Sequence, residues 1–275
     1  LCKGYDIIPE NRLRNKRFER QSLQLRETGV IEIEHLTKNY GDLVAVSDLS
    51  LTIDAGDIFG FIGPNGAGKT TTISILGGIL APTAGRVHLA GINLAEEPER
   101  AKGKTGFIPD RPYLYEKLTA MEFLKFIADL YGVDKTRFAA AAREKLELFS
   151  LSPWADKLIE SFSHGMKQRL IMAGALLHEP EILIVDEPMV GLDPKGQKMI
   201  KSLFQELART GVTIFMSTHT LSVAQEICNR VGVIDHGRLI AAGTTGDLQL
   251  QTGALQDDLE EVFFRLTQED PAITC

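Results

Sequence analysis

The chain has 275 residues, 44% of them hydrophobic and 24% charged, an ordinary balance for a soluble globular protein with one large core or a core carrying an inserted lobe. Its formal net charge of -7 repels nucleic acid, so no nucleic-acid partner is expected. Cys2, Cys228 and Cys275 are too scattered for a metal spacing or a disulfide framework and fit a reducing cytosolic compartment. No apolar stretch reaches the roughly 18 residues of a membrane span, so any work at a membrane needs another chain to cross it.

The first residue is leucine, as in a fragment or a processed product. Residues 1–28 crowd Arg12, Arg14, Lys16, Arg17, Arg20 and Arg26 into a stretch broken by Glu19 and Glu27. They are expected to form a flexible basic arm, a solvated tail in preference to a lipid- or partner-binding one. From Val30 the pattern sharpens. VIEIEHL (30–36) and LSLTI (49–53) alternate apolar and polar residues, as half-buried strands do. IFGFIG (58–63) is apolar throughout, which suits a strand covered on both faces. TTISILGGIL (71–80) suits a helix, and RVHLAGINL (86–94) a short strand with a glycine turn.

The block from about 118 to 178 is expected to be a helical lobe. Thr119 and Glu122 have capping-box spacing, 136–149 is rich in helix formers, and a third helix opens at Ser163 with Met166, Leu170, Ala173 and Leu177 on one stripe. Strand and helix then alternate through 181–187, 194–208, 212–219, 222–228, 231–235 and 238–243. This alternation points to a parallel sheet with covered faces. The tail is weakly helical, with LEEVFFRL (259–266) its most amphipathic piece.

Between the apolar strand at 58–62 and the helix stands GPNGAGKTT: Gly63, Pro64, Asn65, Gly66, Ala67, Gly68, Lys69, Thr70 and Thr71. This is the G-x-x-x-x-G-K-[ST] spacing of a phosphate-binding loop. Triphosphate oxygens must approach successive backbone N–H groups, and side chains beyond Cβ would block them. Lys69 supplies a mobile cation, Thr70 a hydroxyl for Mg²⁺, and the helix start a favourable dipole. Such a loop needs an acid at the end of a second buried strand. ILIVDE provides Asp186 for the metal and, next to it, Glu187 as the general base for an attacking water.

SFSHGMKQRL (161–170) resembles the LSGGQ-type signature of ATP-binding-cassette (ABC) proteins. Ser163 and Gly165 match, His164 stands for the first glycine and Met166 for the glutamine. In the resemblance the capped end at Ser163 points at the γ-phosphate held by another subunit. Tyr40 in LTKNYGDLVAV looks like the aromatic that stacks on adenine. Asp193 in GLDP looks like the D-loop, and His219 in MSTH like the switch histidine. Asp110, in GFIPDRPYLYEKLT (106–119), stands where the family usually has a metal-binding glutamine, and is a candidate ligand for metal and nucleotide.

The resemblance covers about 30–265. It implies an α/β P-loop NTPase of the ABC cassette type, with a mixed β core, an inserted α-helical lobe and an antiparallel β part. The cassette is expected over 29–250 and a helical tail over 251–275. The implied function is an ATPase that pairs head to tail with a second cassette, homo- or heterodimeric, around two Mg-ATP. It would drive an integral-membrane permease, in the export direction, from the cytoplasmic face of the membrane. A soluble ABC ATPase on ribosomes or DNA and a regulatory ATP sensor are the alternatives. Ribosome-directed relatives carry two cassettes, and DNA-directed ones long coiled coils, where this chain has one cassette and no heptad run.

Overall fold

The computed structural model describes residues 29–111, 113–253 and 257–268. The basic arm, Cys2 and Cys275 lie outside them. Among the described residues, ten strands fall into two sheets. The first is antiparallel and has the order β2-β1-β4-β5, from β1 (Ile31–Tyr40), β2 (Leu43–Ile53), β4 (Ala84–Leu89) and β5 (Ile92–Asn93). The second has the order β10-β9-β3-β8-β7-β6. Its members are β3 (Ile58–Ile62), β6 (Thr105–Ile108), β7 (Ile182–Asp186), β8 (Thr213–Thr218), β9 (Arg230–Asp235) and β10 (Arg238–Gly243). All its pairings are parallel except β10 with β9.

The five residues of β3 are all buried, as their unbroken apolar run predicts. Alternate side chains feed different cores. Phe59 and Phe61 face the antiparallel sheet and pack on Phe215 of β8, with ring centroids 5.8 and 5.3 Å apart. Ile58 joins the core under the helical lobe and Ile62 the one under the C-terminal helices. The sheet is therefore clamped on both faces, and the strand ends that carry polar residues are held rigidly.

The helices are α1 (Lys69–Leu76), α2 (Pro98–Gly103), α3 (Ala120–Leu130), α4 (Lys135–Leu148), α5 (His164–Ala175), α6 (Pro194–Arg209), α7 (Leu221–Ile227), α8 (Thr245–Thr252) and α9 (Leu259–Gln268). The lobe formed by α3, α4 and α5 lies in the chain between β6 and β7. Thr119 caps α3 in the expected box: its hydroxyl accepts from Glu122 N–H and its own N–H donates to the Glu122 carboxylate.

Several expectations are corrected. Helix α1 starts at Lys69 and stops at Leu76, because Gly77 and Gly78 follow and Gly78 takes φ 63°. The stretch 86–94 is two strands joined through Ala90 and Gly91, both at positive φ. Leu177 lies past the end of α5. Residues 106–108, expected in the loop to the lobe, belong to β6. Strands β1 and β2 run on to Tyr40 and from Leu43. Register shifts beyond Ile33, with positive φ at His35 and Asp48, break the alternation there.

His178, just past α5, ties the lobe to the sheet. Its ring stacks on Tyr131 at 3.9 Å, and its Nε2 bonds the Thr105 carbonyl at 3.2 Å. Burial lowers its pKa to about 4. The unfolded chain takes a proton near the usual pH 6.5 and the folded one does not. The contribution of neutral His178 to stability is thus full above 6.5 and fades as pH falls toward 4. Wild type should lose about 3 kcal/mol more than His178→Phe between pH 7 and pH 4, measured by urea unfolding. Parallel pH curves for the two proteins would contradict this.

Candidate nucleotide site

The turn from β3 into α1 is built around its glycines. Gly68, the residue before α1, has φ 107°, and a Cβ there would lie 2.5 Å from the Ala45 carbonyl oxygen. Gly66 has φ 83° with open space where its Cβ would be. One glycine is required by packing and the other keeps the concave side clear. The N–H groups of Asn65, Gly66, Gly68, Lys69 and Thr70 have no partner among the described residues. With the N–H of Thr71, likewise unpartnered among the described residues, six such donors cluster at the mouth of the helix and fit an anion. The Ala67 N–H is already used, bonded to the Pro64 carbonyl at 3.2 Å.

Lys69 is buried and its ammonium donates to the carbonyls of Gly63 and Pro64, at 2.7 and 3.0 Å. Those two residues thus hold the lysine and do not line the cavity. Burial lowers the Lys69 pKa, and the charges of Glu187 and Asp186 oppose that shift.

Opposite the loop, β7 and β8 bring their C-terminal ends together. Asp186 closes β7, is buried, and accepts a hydrogen bond from the Ser217 hydroxyl of β8. Burial pushes its carboxyl above the usual range, the Ser217 bond counters this, and the charges of Asp110 and Glu187 add to it. Glu187 follows with φ 48°. Its Oε1 accepts from the His219 main-chain N–H at 3.0 Å and meets His219 Nδ1 at 2.7 Å. The backbone turn at Glu187 thus swings its carboxylate toward the end of β8, with the imidazole against it.

These pieces enclose one cavity of about 540 Å³. It brings together the expected Tyr40, Asn65, Gly66, Gly68, Lys69, Thr70, Thr71, Asp110, Asp186, Glu187 and His219. Leu43, Ala45 and Val190 also line it, and no motif spacing announced them. Tyr40, half-exposed at the end of β1, has the Lys38 ammonium 5.3 Å from its ring centroid. Ser217 was also missed. Its signal was the hydroxyl two residues before His219, facing the same acids.

Ser163, Gly165 and Asp193 do not line the cavity. Ser163 caps α5 by accepting from Met166 N–H at 3.3 Å, and Asp193 caps α6 by accepting from Gly196 N–H at 2.9 Å. The two caps are neighbours: the His164 ring lies where a Cβ on Gly191 would come within 2.2 Å of it. His164, Lys167, Asp110, Arg111, Tyr113 and Val190 border an adjoining groove.

A strand, a loop of free amides, a buried lysine on the following helix and acids at the next strand ends define a P-loop nucleotide-binding domain. The ABC transporter family model matches residues 46–190. The chain is 38% identical to the linearmycin resistance ATP-binding protein LnrL of Bacillus subtilis, over 82% of this chain and 72% of that one. It is 42% identical to the bacitracin transport ATP-binding protein BcrA of Bacillus licheniformis, over 77% and 68% of the two chains. A solved ATP-binding subunit of an ABC transporter superposes with a TM-score of 0.82 at 33% identity, covering 86% of this chain and 99% of that one. A dimeric cassette in a post-hydrolysis state with ADP and Pi superposes with a TM-score of 0.71 at 26% identity, covering 78% and 98%. The chain belongs to the ABC transporter family as an ATP-binding, ATP-hydrolysing subunit.

The two glycines separate experimentally. Gly66→Ala meets only backbone strain, about 1 kcal/mol, whereas Gly68→Ala adds a collision with main chain. Gly68→Ala should therefore destabilise the protein by roughly twice as much or more, read from urea midpoints. Equal losses for the two variants would contradict the packing assigned to Gly68.

Proposed function

We propose that two cassettes, this chain and a second copy or a close relative, pair head to tail around two Mg-ATP and drive a separate integral-membrane permease in the export direction. The observation that carries the pairing is that the cavity holds the loop, the acids and His219, while Ser163 and Gly165 of the same chain stay outside it. An exposed, capped helix start with free amides is a second anion site that its own cavity does not use.

Lys69 and the free amides of 65–70 hold the phosphates. Thr70, Asp186 and Asp110 would hold the magnesium ion, which when bound neutralises charge between the phosphates. The donors fit it: hydroxyl and carboxylate oxygens suit a hard cation. Tyr40 offers its ring face to adenine. Glu187 takes a proton from a water positioned against the terminal phosphorus. The water oxygen bonds to that phosphorus as the bond from phosphorus to the bridging oxygen breaks, leaving ADP with that oxygen and its electron pair, and inorganic phosphate carrying the water oxygen. His219, already bonded to Glu187, orients that carboxylate and offers its free ring edge to the leaving phosphate. Ser163 and Gly165 of the partner cassette close on the terminal phosphate, and Asp193 beside them couples the two sites. Loss of that phosphate removes contacts from both cassettes and opens the dimer.

Transport out of the cell from the cytoplasmic face is supported by the relatives named for linearmycin resistance and bacitracin transport. No helix among the described residues is long and apolar enough to cross a membrane. The cassette is assigned to 29–250, with an inserted lobe at about 118–178, the 106–119 loop passing the cycle to the permease, and 251–275 as a tail.

Glu187→Gln should bind ATP, lose hydrolysis roughly a hundredfold or more, and accumulate as an ATP-bound dimer in size-exclusion chromatography. Lys69→Ala should lose nucleotide binding itself. A Glu187→Gln protein with normal turnover would remove Glu187 from the role of base. One that stays monomeric with saturating Mg-ATP would count against the sandwich.

A further inference from the structure

We propose that Asp110 makes nucleotide capture conditional on a divalent cation, so that the metal complex of the triphosphate is accepted and the free triphosphate is turned away. This rests on the Mg-ATP reading of the cavity and adds to it a charge-based discrimination set by one side chain.

β6 and β7 are parallel neighbours, with Ile108 opposite Val185. Asp110 stands two residues past that pair on one strand; Asp186 and Glu187 stand one and two residues past it on the other. Three carboxylates therefore leave two adjacent strand ends on one side, and all three line the cavity. The proximity is felt electrostatically, because the charge of Asp110 helps to push the Asp186 carboxyl upward.

The cations do not balance them. Among the described residues, Lys69 is the one lysine or arginine lining the cavity, and its ammonium is turned to the carbonyls of Gly63 and Pro64. Arg111 follows Asp110 but borders the adjoining groove, beside Lys167, which is paired with Glu116. Asp110 has no hydrogen-bond or ion-pair partner among the described residues. Three carboxylates against one ammonium leave the cavity net negative where a polyanion must enter.

A divalent cation reverses that arithmetic. With it in place, each carboxylate becomes a ligand or a near neighbour of positive charge. Without it, Asp110 faces the phosphates as a bare like charge, only partly screened at the cavity wall. A neutral amide at this position would still offer the metal an oxygen and would not repel the phosphates. The charge of Asp110 thus works in opposite directions on the two forms of the nucleotide.

The test compares the full chain with Asp110→Asn, which keeps the shape and removes the charge. Binding of the non-hydrolysable analogue AMP-PNP is measured by calorimetry with Mg²⁺ and, separately, with EDTA. Asp110→Asn should tighten metal-free binding about tenfold and leave the Mg²⁺ affinity equal or weaker, so the ratio of the two dissociation constants collapses. The gain should shrink in about 0.5 M KCl, where exposed charges are screened. Loss of a structural contact alone would act on both forms of the nucleotide and would not respond to salt in this way. If both proteins bind the Mg²⁺ complex and metal-free affinity is unchanged or weaker in Asp110→Asn, the inference is overturned while the nucleotide reading stands. If wild type binds the analogue neither with nor without metal, the nucleotide reading falls and takes this one with it.

Discussion

A row of unsatisfied main-chain donors is the constraint on which the rest of this molecule depends. The N–H groups of Asn65, Gly66, Gly68, Lys69 and Thr70 have no protein partner among the described residues. Gly68 and Lys69 are at least partly withdrawn from solvent, where such groups ordinarily find partners, and Asn65, Gly66 and Thr70 stand exposed where a ligand can reach them. The loop is fixed from behind. Gly68 is wedged on the Ala45 carbonyl, Lys69 is held by Gly63 and Pro64, and β3 is anchored by Phe59, Phe61 and Phe215. The loop cannot relax to satisfy its own donors, so the binding energy they represent stays available for a ligand.

The parallel sheet places the other half of the chemistry. Strands β3, β7 and β8 end on one side, so the loop after the first, the acids after the second and His219 after the third converge without any further device. Burial of Asp186 disfavours its charged form, and the Ser217 hydroxyl offsets part of that. A bound cation would offset the remainder. Glu187 is set apart from Asp186 by its left-handed backbone, which directs it to His219. Neighbouring carboxylates in the chain thus face different partners and take different parts.

Much of this was legible in the sequence because each piece sits at a strand end, where an apolar run stops at a polar residue. IFGFI before GPNGAGKTT, ILIV before Asp186 and IFMST before His219 carry both the fold and the site. What was not legible lies where contacts are long-range or the alternation fails. The continuation of β1 and β2 toward Tyr40 is hidden by the bulged register and by positive φ at His35 and Asp48. Strand β6 is four residues long, too short for a period to register, and it carries Asp110 to its place. The contact of His164 with Gly191 joins residues far apart in the chain and has no local signature. Leu43, Ala45 and Val190 line the cavity by topology alone.

The central claim is that the orphan amides of 65–70 are the phosphate site. Residue-resolved amide hydrogen exchange, with and without the Mg²⁺ complex of AMP-PNP, addresses those donors one by one. The account predicts strong slowing at Asn65, Gly66, Gly68, Lys69 and Thr70, with Ala67 changed far less because its N–H is already bonded. Binding of the nucleotide with exchange at those five amides unaltered would contradict it.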